Sequence, residues 1–443
     1  MKRSFPLAVA AASFILSQPT IAAKPNIVFI LADDMGYADC GVQGCTDFAT
    51  PHIDSIARNG VRFTNGYVSA PVCSPSRAGL LTGRYQQRFG HELNLGDGRS
   101  RDPVLGLPVS ETTLAQRLKD AGYATGLVGK WHLGSLPQFH PNARGFDEFF
   151  GFLMGQHGYF PGPPAERESP IERNGRIIET KKYLTEEFAD VAVDFIERNH
   201  ERPFFLYLAF NAPHVPLQAA EKDLARVPHL TGNRKTYAAM MLSLDDAVGR
   251  VLAKLREHRI ESETLIAFLS DNGGPPGNGS GNGALRGHKA VTYEGGIRVP
   301  FFLRWSAALT AGKVDDRPVI ALDLAPTALA AAGIDPQPQW KFDGVNLLPF
   351  LNGEKSARPH DALYWRFGHL MAVRRGDAKL VRAGSPAEEL FDLATDAGER
   401  RNLFADSAQQ ASELEEAWRR WSAELTKPLW GDPDRARASK SKR

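Results

Sequence analysis

Apolar residues along this chain fall into two alternating patterns. Residues 26–32 (NIVFILA), 123–128, 204–210 (FFLYLAF) and 264–270 (TLIAFLS) are short, mostly apolar runs, which predict parallel strands covered on both faces. Between them, apolar positions recur at helical spacing. Ile53, Ile56 and Ala57 follow Thr50-Pro51 and stop at Gly60, while Leu114 and Leu118 follow a predicted cap at Ser110 and stop at Gly122. Leu184, Phe188, Val191 and Phe195 mark a third helix, and Met241, Leu244, Val248, Val251 and Leu255 a longer one. Helices alternating with buried strands predict an α/β fold built on a large, mostly parallel sheet.

Each run releases polar residues at the same end. Asp33 and Asp34 follow the first, Lys130 and His132 the second, Asn211 and His214 the third, Asp271 and Asn272 the fourth. Ligands of open α/β sheets bind outside the carboxyl ends of the strands, so these residues are expected along one edge. Residues 271–300 form a glycine-rich stretch, expected as a flexible lid beside that edge. From about residue 361 the pattern changes to alternating segments (ALYWRF, LMAVRRGDAKLVRA, ELFDL) and a helix over 408–425, predicting a small antiparallel sheet with one helix. The expected organisation is a catalytic domain over 24–355, a small C-terminal α+β domain over 356–431, and a disordered basic tail over 432–443.

Composition adds location. Residues 1–23 have the form of a secretory signal: Lys2 and Arg3, an apolar centre over 7–16, then Ala22 and Ala23. Export to the periplasm or medium is expected. That centre is too short to span a bilayer, and no other run approaches the ~20 apolar residues required, so no stable membrane insertion is expected. The chain carries 53 Lys and Arg against 51 Asp and Glu. Without Lys2 and Arg3 it is neutral, which argues against nucleic acid as a partner. Cys40 and Cys45 flank Gly41 and Gly44, a spacing that leaves a bridge and two free thiols both open.

The third cysteine carries the chemistry. Cys73 opens CSPSRAGLLTGR, where Pro75 suits a first helical turn and Gly83 stops the helix. A helix start lowers a thiol pKa and attracts anions, leaving a reactive cysteine or an inert buried one. Asp33, Asp34, Asp271 and Asn272 offer only hard oxygen donors, which suits Ca²⁺ or Mg²⁺ better than zinc. Asp245-Asp246 lies inside a helix, where the two side chains diverge and are not expected to chelate together.

The order Cys73-x-Pro75-Ser76-Arg77, followed by Leu81-Thr82-Gly83-Arg84, resembles the signature of the type I, formylglycine-dependent sulfatases. The stretch GKWHLGSLPQFHPNARGFDEFFGF is similar to carbohydrate sulfatases of the N-acetylgalactosamine-6-sulfatase and arylsulfatase type, and Lys289 precedes a Glu-Gly-Gly-x-Arg-x-Pro run similar to theirs. The resemblance implies an alkaline-phosphatase-like fold and hydrolysis of sulfate monoesters, on a glycosaminoglycan or other sulfated polysaccharide fragment. It implies that a formylglycine-generating or anaerobic sulfatase-maturating enzyme oxidises Cys73 to an aldehyde. One divalent ion, usually calcium, would sit on Asp33, Asp34, Asp271 and Asn272 beside residue 73.

On the same resemblance, Arg77 favours ionisation of the hydrated aldehyde and Lys130 adds positive charge. His214, with Lys289, assists the departing alcohol, and His132 removes the proton that lets sulfate leave. Arg144, Gly145, Phe146 and Asp147 are expected to be structural, and His157 to reach substrate. Charge is consistent with a metal. Three carboxylates would each repel a sulfate by roughly 4 kcal/mol at intermediate dielectric, whereas a dication with Arg77, Lys130 and Lys289 makes the pocket positive. Two alternatives are phosphate mono- or diester hydrolysis within the same superfamily and an inactive polysaccharide-binding homologue with Cys73 unconverted. Asp271-Asn272 stands where two-zinc phosphatases commonly have Asp-His, which favours sulfate.

Overall fold

The computed structural model describes residues 24–96, 102–166 and 168–431; the expected export signal and basic tail lie outside the described residues. The four predicted strands form at Asn26–Ala32, Ala124–Lys130, Phe204–Ala209 and Thr264–Ser270, and every residue in them is buried. They are neighbours and mutually parallel. Asn26–Ala32 lies between Thr264–Ser270 and Phe204–Ala209, and Ala124–Lys130 pairs with the far edge of the latter. The second strand runs two residues further than predicted, so Lys130 ends the strand instead of following it. Outer strands extend the sheet to ten, with Glu148–Phe152 parallel on one side and Phe301–Arg304 antiparallel on the other.

Alternation along the strands divides the interior into two layers. Val28, Ile30, Leu206, Leu208, Ile266 and Phe268 pack with the helices Pro51–Arg58, Leu184–Asn199 and Gly232–Glu257. Ile27, Phe29, Phe205, Tyr207 and Leu265 pack with Cys73–Thr82, Leu114–Asp120 and Leu324–Ala331. Thr113, not Ser110, caps Leu114–Asp120. Its hydroxyl accepts from Gln116 N–H at 3.2 Å, and the Gln116 carbonyl oxygen accepts from Thr113 N–H at 2.9 Å. This reciprocal pair needs a long acceptor three residues on, which Ser110 lacks.

Strands Leu363–Phe367, Leu370–Arg375, Ala378–Arg382 and Glu389–Asp392 make the expected small antiparallel sheet, with Ala408–Ala423 packed on it. It is locked to the large sheet's layers. Trp365 donates its indole N–H to Val68 O at 2.7 Å, and fully buried Lys379 sits 2.8 Å from both Glu294 and Glu399. Among the described residues no helix is long and apolar enough to cross a membrane.

Candidate active site

The parallel strands bring their polar exits to one edge as expected. Asp34 and His132 adopt left-handed backbone conformations, φ 68° and 58°, which non-glycine residues hold only when their surroundings impose it. The helix Cys73–Thr82 is buried along its whole length and points its first residue at the same edge. Cys73 Sγ lies 3.5 Å from Asp33 Oδ1 and 3.3 Å from Lys289 Nζ. Asp33, Asp34, Cys73 and His214 each bring one donor atom within 4.8 Å of the others. Asn272 Nδ2 donates to Asp34 Oδ1 at 2.7 Å, and Asp34 N–H reaches Asp271 Oδ1 at 3.4 Å.

Cations surround these oxygens. Lys130 Nζ is 2.5 Å from Asp33 Oδ2. Arg77 donates from Nε to Asp271 Oδ2 at 2.8 Å and from Nη1 to Lys130 O at 3.0 Å. Lys289 Nζ is 2.7 Å from Asp34 Oδ1. Burial pushes the Asp33 carboxyl up, but Lys130, His214, Arg77 and Lys289 outweigh it and hold it far below the usual range. Asp271 is pushed up by burial and by Asp33 beside it. Protein cations alone therefore do not settle both carboxylates as anions. Asn272 Oδ1 is buried with no hydrogen-bond partner, although such an oxygen normally has one. Three buried carboxylates and an orphaned amide oxygen, all hard donors, fit a divalent cation.

Burial favours the inert of the two readings left open for the Cys73 thiol. Burial drives the Cys73 pKa up to about 12 despite Lys130 and Lys289, with Asp271 and Asp33 adding to the rise. Desolvation outweighs the helix start, so the encoded thiol is not a nucleophile near neutral pH. His132 is shifted well below its ordinary value by burial, Lys130 and Arg77, and is a neutral base. His214 donates Nδ1–H to Val215 O at 2.6 Å, and its Nε2 lies 3.5 Å from Asp34 Oδ2.

Above this floor is a cavity of about 410 Å³, whose lining includes Cys73, His132, His214 and Lys289. Asn94, Leu95, Gly96 and Gln156 also line it, and the sequence reading singled out none of them. His157, expected to reach substrate, is not among the residues that line this cavity. His157 packs its ring on Phe152, donates Nδ1–H to Gly158 O, and lines a neighbouring pocket. Loop direction, which periodicity does not encode, chose Gln156 instead. His91 was also missed. Its Nε2 lies 2.6 Å from Ser74 Oγ, which donates to His132 O at 2.6 Å, tying the Cys73–Thr82 helix to the turn at His132.

The glycine-rich stretch after Asp271 is a pinned loop and not an open lid. Asn282 bonds Gly274 N–H and O at 3.0 Å, and Asp39 accepts from Gly281 N–H at 2.8 Å. Asp245 caps the Pro51–Arg58 helix through His52 and Ile53 N–H, while Asp246 pairs with Arg226. An oxygen from each comes within 4.8 Å of the other and of His52, but both already have protein partners. Cys40 and Cys45 carry free thiols. Arg144 is buried and donates to Leu107 O and Glu111 O, as a structural residue should.

A mostly parallel sheet whose carboxyl edge joins a buried oxygen-donor cluster to a cavity lined by Lys289, His132 and His214 is an arrangement suited to hydrolysis of charged esters. Its helix-borne residue 73 stands between the two. The Sulfatase family model matches residues 25–334, and the chain belongs to that family and is a sulfuric ester hydrolase. The model described as "N-sulphoglucosamine sulphohydrolase, C-terminal" matches residues 287–423. N-acetylgalactosamine-6-sulfatase from Sus scrofa is 38% identical over 379 residues, covering 80% of this chain and 71% of the relative. The crystal structure of Ps i-CgsB superposes with TM-score 0.88 and 37% identity over 92% of this chain and 94% of that one. Ps i-CgsB in complex with k-i-k-neocarrahexaose gives TM-score 0.88 at 36% identity, over 93% and 96% of the two chains.

Proposed function

We propose that this enzyme removes sulfate from a sugar of a sulfated polysaccharide fragment, using a formylglycine made from Cys73 and one Ca²⁺ ion. A maturation enzyme would make that conversion. The observation that carries the reading is the position of Cys73, 3.3 Å from Lys289 Nζ and 3.5 Å from Asp33 Oδ1 at the floor of the cavity. A relative named N-acetylgalactosamine-6-sulfatase and a similar structure in complex with k-i-k-neocarrahexaose support the substrate class. Formylglycine supplies an oxygen nucleophile and a route for expelling sulfate without water attacking sulfur. Asp33, Asp34, Asp271 and Asn272, with residue 73, would hold the cation, which would offset the carboxylates and supply a positive charge for the sulfate.

The chain's own side chains do the rest. Lys289 and Lys130 favour an anion over residue 73, and Arg77 fixes Asp271 while keeping its charge. His214 Nε2 holds the proton for the departing sugar oxygen. His132 is neutral and its Nδ1 has no protein partner, so it accepts a proton in the release step. Export through residues 1–23 and a division into a catalytic domain over 24–355 and a small C-terminal domain over 356–431 belong to the same proposal. Peptide mass spectrometry of exported protein should find a mature chain starting after Ala23 and residue 73 lighter than cysteine. Matched sulfate and phosphate esters should show preference for sulfate. An unchanged thiol with full desulfating activity, or equal rates on both esters, overturns the reading.

A further inference from the structure

The last described residues return to the segment that supports the Cys73 helix. After Ala408–Ala423 the chain crosses residues 86–94. Thr426 N–H donates to Gln87 O at 3.1 Å and Leu429 N–H to Gly90 O at 2.9 Å, and the Trp430 indole N–H donates to Asn94 O at 3.0 Å. Arg366 of the small sheet joins the two segments, meeting Glu92 Oε2 at 2.7 Å and Thr426 O at 2.8 Å. The Trp430 ring meets the His91 ring edge-to-face at 4.7 Å. Neither Trp430 nor His91 lines the catalytic cavity.

From His91 a run of short contacts leads to His132. Ser74 Oγ stands 2.6 Å from both His91 Nε2 and His132 O. The hydroxyl has one proton and a carbonyl can only accept, so that proton lies on His132 O and His91 Nε2 supplies the hydrogen of the other bond. Burial pushes His91 down to about 3, which makes it a neutral ring with its proton on Nε2. Ser74 also donates its backbone N–H to Asn94 Oδ1 at 3.0 Å. Trp430 thus braces Ser74 twice, through the His91 ring and through Asn94. His91 and Ser74 are fully buried, where a lost partner is not replaced by water. At the far end His132 holds a left-handed φ of 58°, a conformation that persists only while its surroundings impose it.

We propose that His91, braced by Trp430, is a positioning residue for His132: through Ser74 it fixes the His132 carbonyl and so aims the ring that accepts the proton in sulfate release. This rests on the sulfatase reading above, and the tests separate the two. Parent, His91→Phe, His91→Gln and Trp430→Ala are compared on 4-nitrocatechol sulfate, with rates counted per formylglycine. The aryl group departs before sulfate is released, so slowing release lowers kcat and KM by one factor and spares kcat/KM. His91→Phe should lower both about 10- to 100-fold, with a first-turnover burst of 4-nitrocatechol equal to the enzyme. Trp430→Ala should act in the same direction more weakly. His91→Gln, whose amide N–H replaces the ring N–H, should recover the parent values. Unchanged kcat, or a fall in kcat/KM with no burst, overturns the role. Amide hydrogen exchange in protein with Cys73 unconverted reads the same link without turnover, and decides the matter if His91→Phe does not fold. Trp430→Ala should speed exchange over 90–96 and 131–134 and spare the central strands; unchanged or uniformly faster exchange overturns the brace. A parent with neither formylglycine nor activity overturns the sulfatase reading and the release role with it, while exchange still decides the link from Trp430 to His132.

Discussion

At Cys73, burial, local charge and chain position pull in different directions, and the outcome sets the chemistry. The helix start and two lysines favour a thiolate, but full desolvation wins and the thiol stays protonated. The neighbouring histidines differ in protein partners. His214 has Nδ1 fixed on Val215 O, while His132 Nδ1 is unpartnered. Replacing His214 by Ala should lower kcat on a sugar sulfate by ~10²–10⁴, and far less on 4-nitrocatechol sulfate, whose leaving group needs no proton. Equal losses on both would remove His214 from leaving-group protonation. Asn272 Oδ1 gives a test independent of turnover. Calcium at a hundredfold excess over its Kd should stabilise the fold by about 2.7 kcal/mol. Chelation should therefore lower the melting temperature of the parent, and Asn272→Leu should blunt that response. A chelator-insensitive melt would argue against the cation site.

Among the elements, strands were legible and loops were not. Four apolar runs with polar exits sufficed to place Asp33, Lys130, His214 and Asp271 on one edge, because parallel strands share a direction. Nothing in such a pattern says which residue of a loop turns inward, so Gln156 and Asn94 were missed, and His157 lines the neighbouring pocket instead of the cavity. Close packing explains part of that loop's composition. A Cβ on Gly155 would lie 2.9 Å from both Cε1 and Nε2 of the His132 ring. Gly155→Ala should displace that ring and cost roughly 10²-fold in kcat with little change in melting temperature. Full activity would show that the ring tolerates the shift.

Across the molecule, the small sheet holds the segment that carries Lys289. Lys379 from that sheet is buried between Glu294, five residues after Lys289, and Glu399. Burial, with Glu294 adding to it and Lys379 opposing, raises the Glu399 carboxyl to about 7, while Glu294 is held at about 2 by Lys379, Arg298 and Arg374 against its own burial. The sign follows from linkage. The folded state keeps a proton that the unfolded chain loses near its ordinary carboxyl pKa of 4.5. Stability should therefore fall as pH rises from about 4.5 to 7. Melting temperatures across that window should decline in the parent and be flatter in Glu399→Gln; identical slopes would refute this account. This pairing was invisible in sequence, since Glu294 and Lys379 are 85 residues apart.

The sequence by itself determined the four central strands of the large sheet, their shared direction and the chemical character of their edge. Burial on both faces demands continuous apolar runs, and a ligand edge demands polar residues where those runs stop. It also carried the motif around Cys73, because the order of neighbours along one helix is local information. Tertiary structure decided what depends on distances between segments: the orphaned Asn272 oxygen, the protonated state of Cys73, the pinned glycine-rich loop and the contact of Trp430 with His91. Desolvation and charge coupling are properties of an assembled interior. They have no value until distant segments have excluded water from one another.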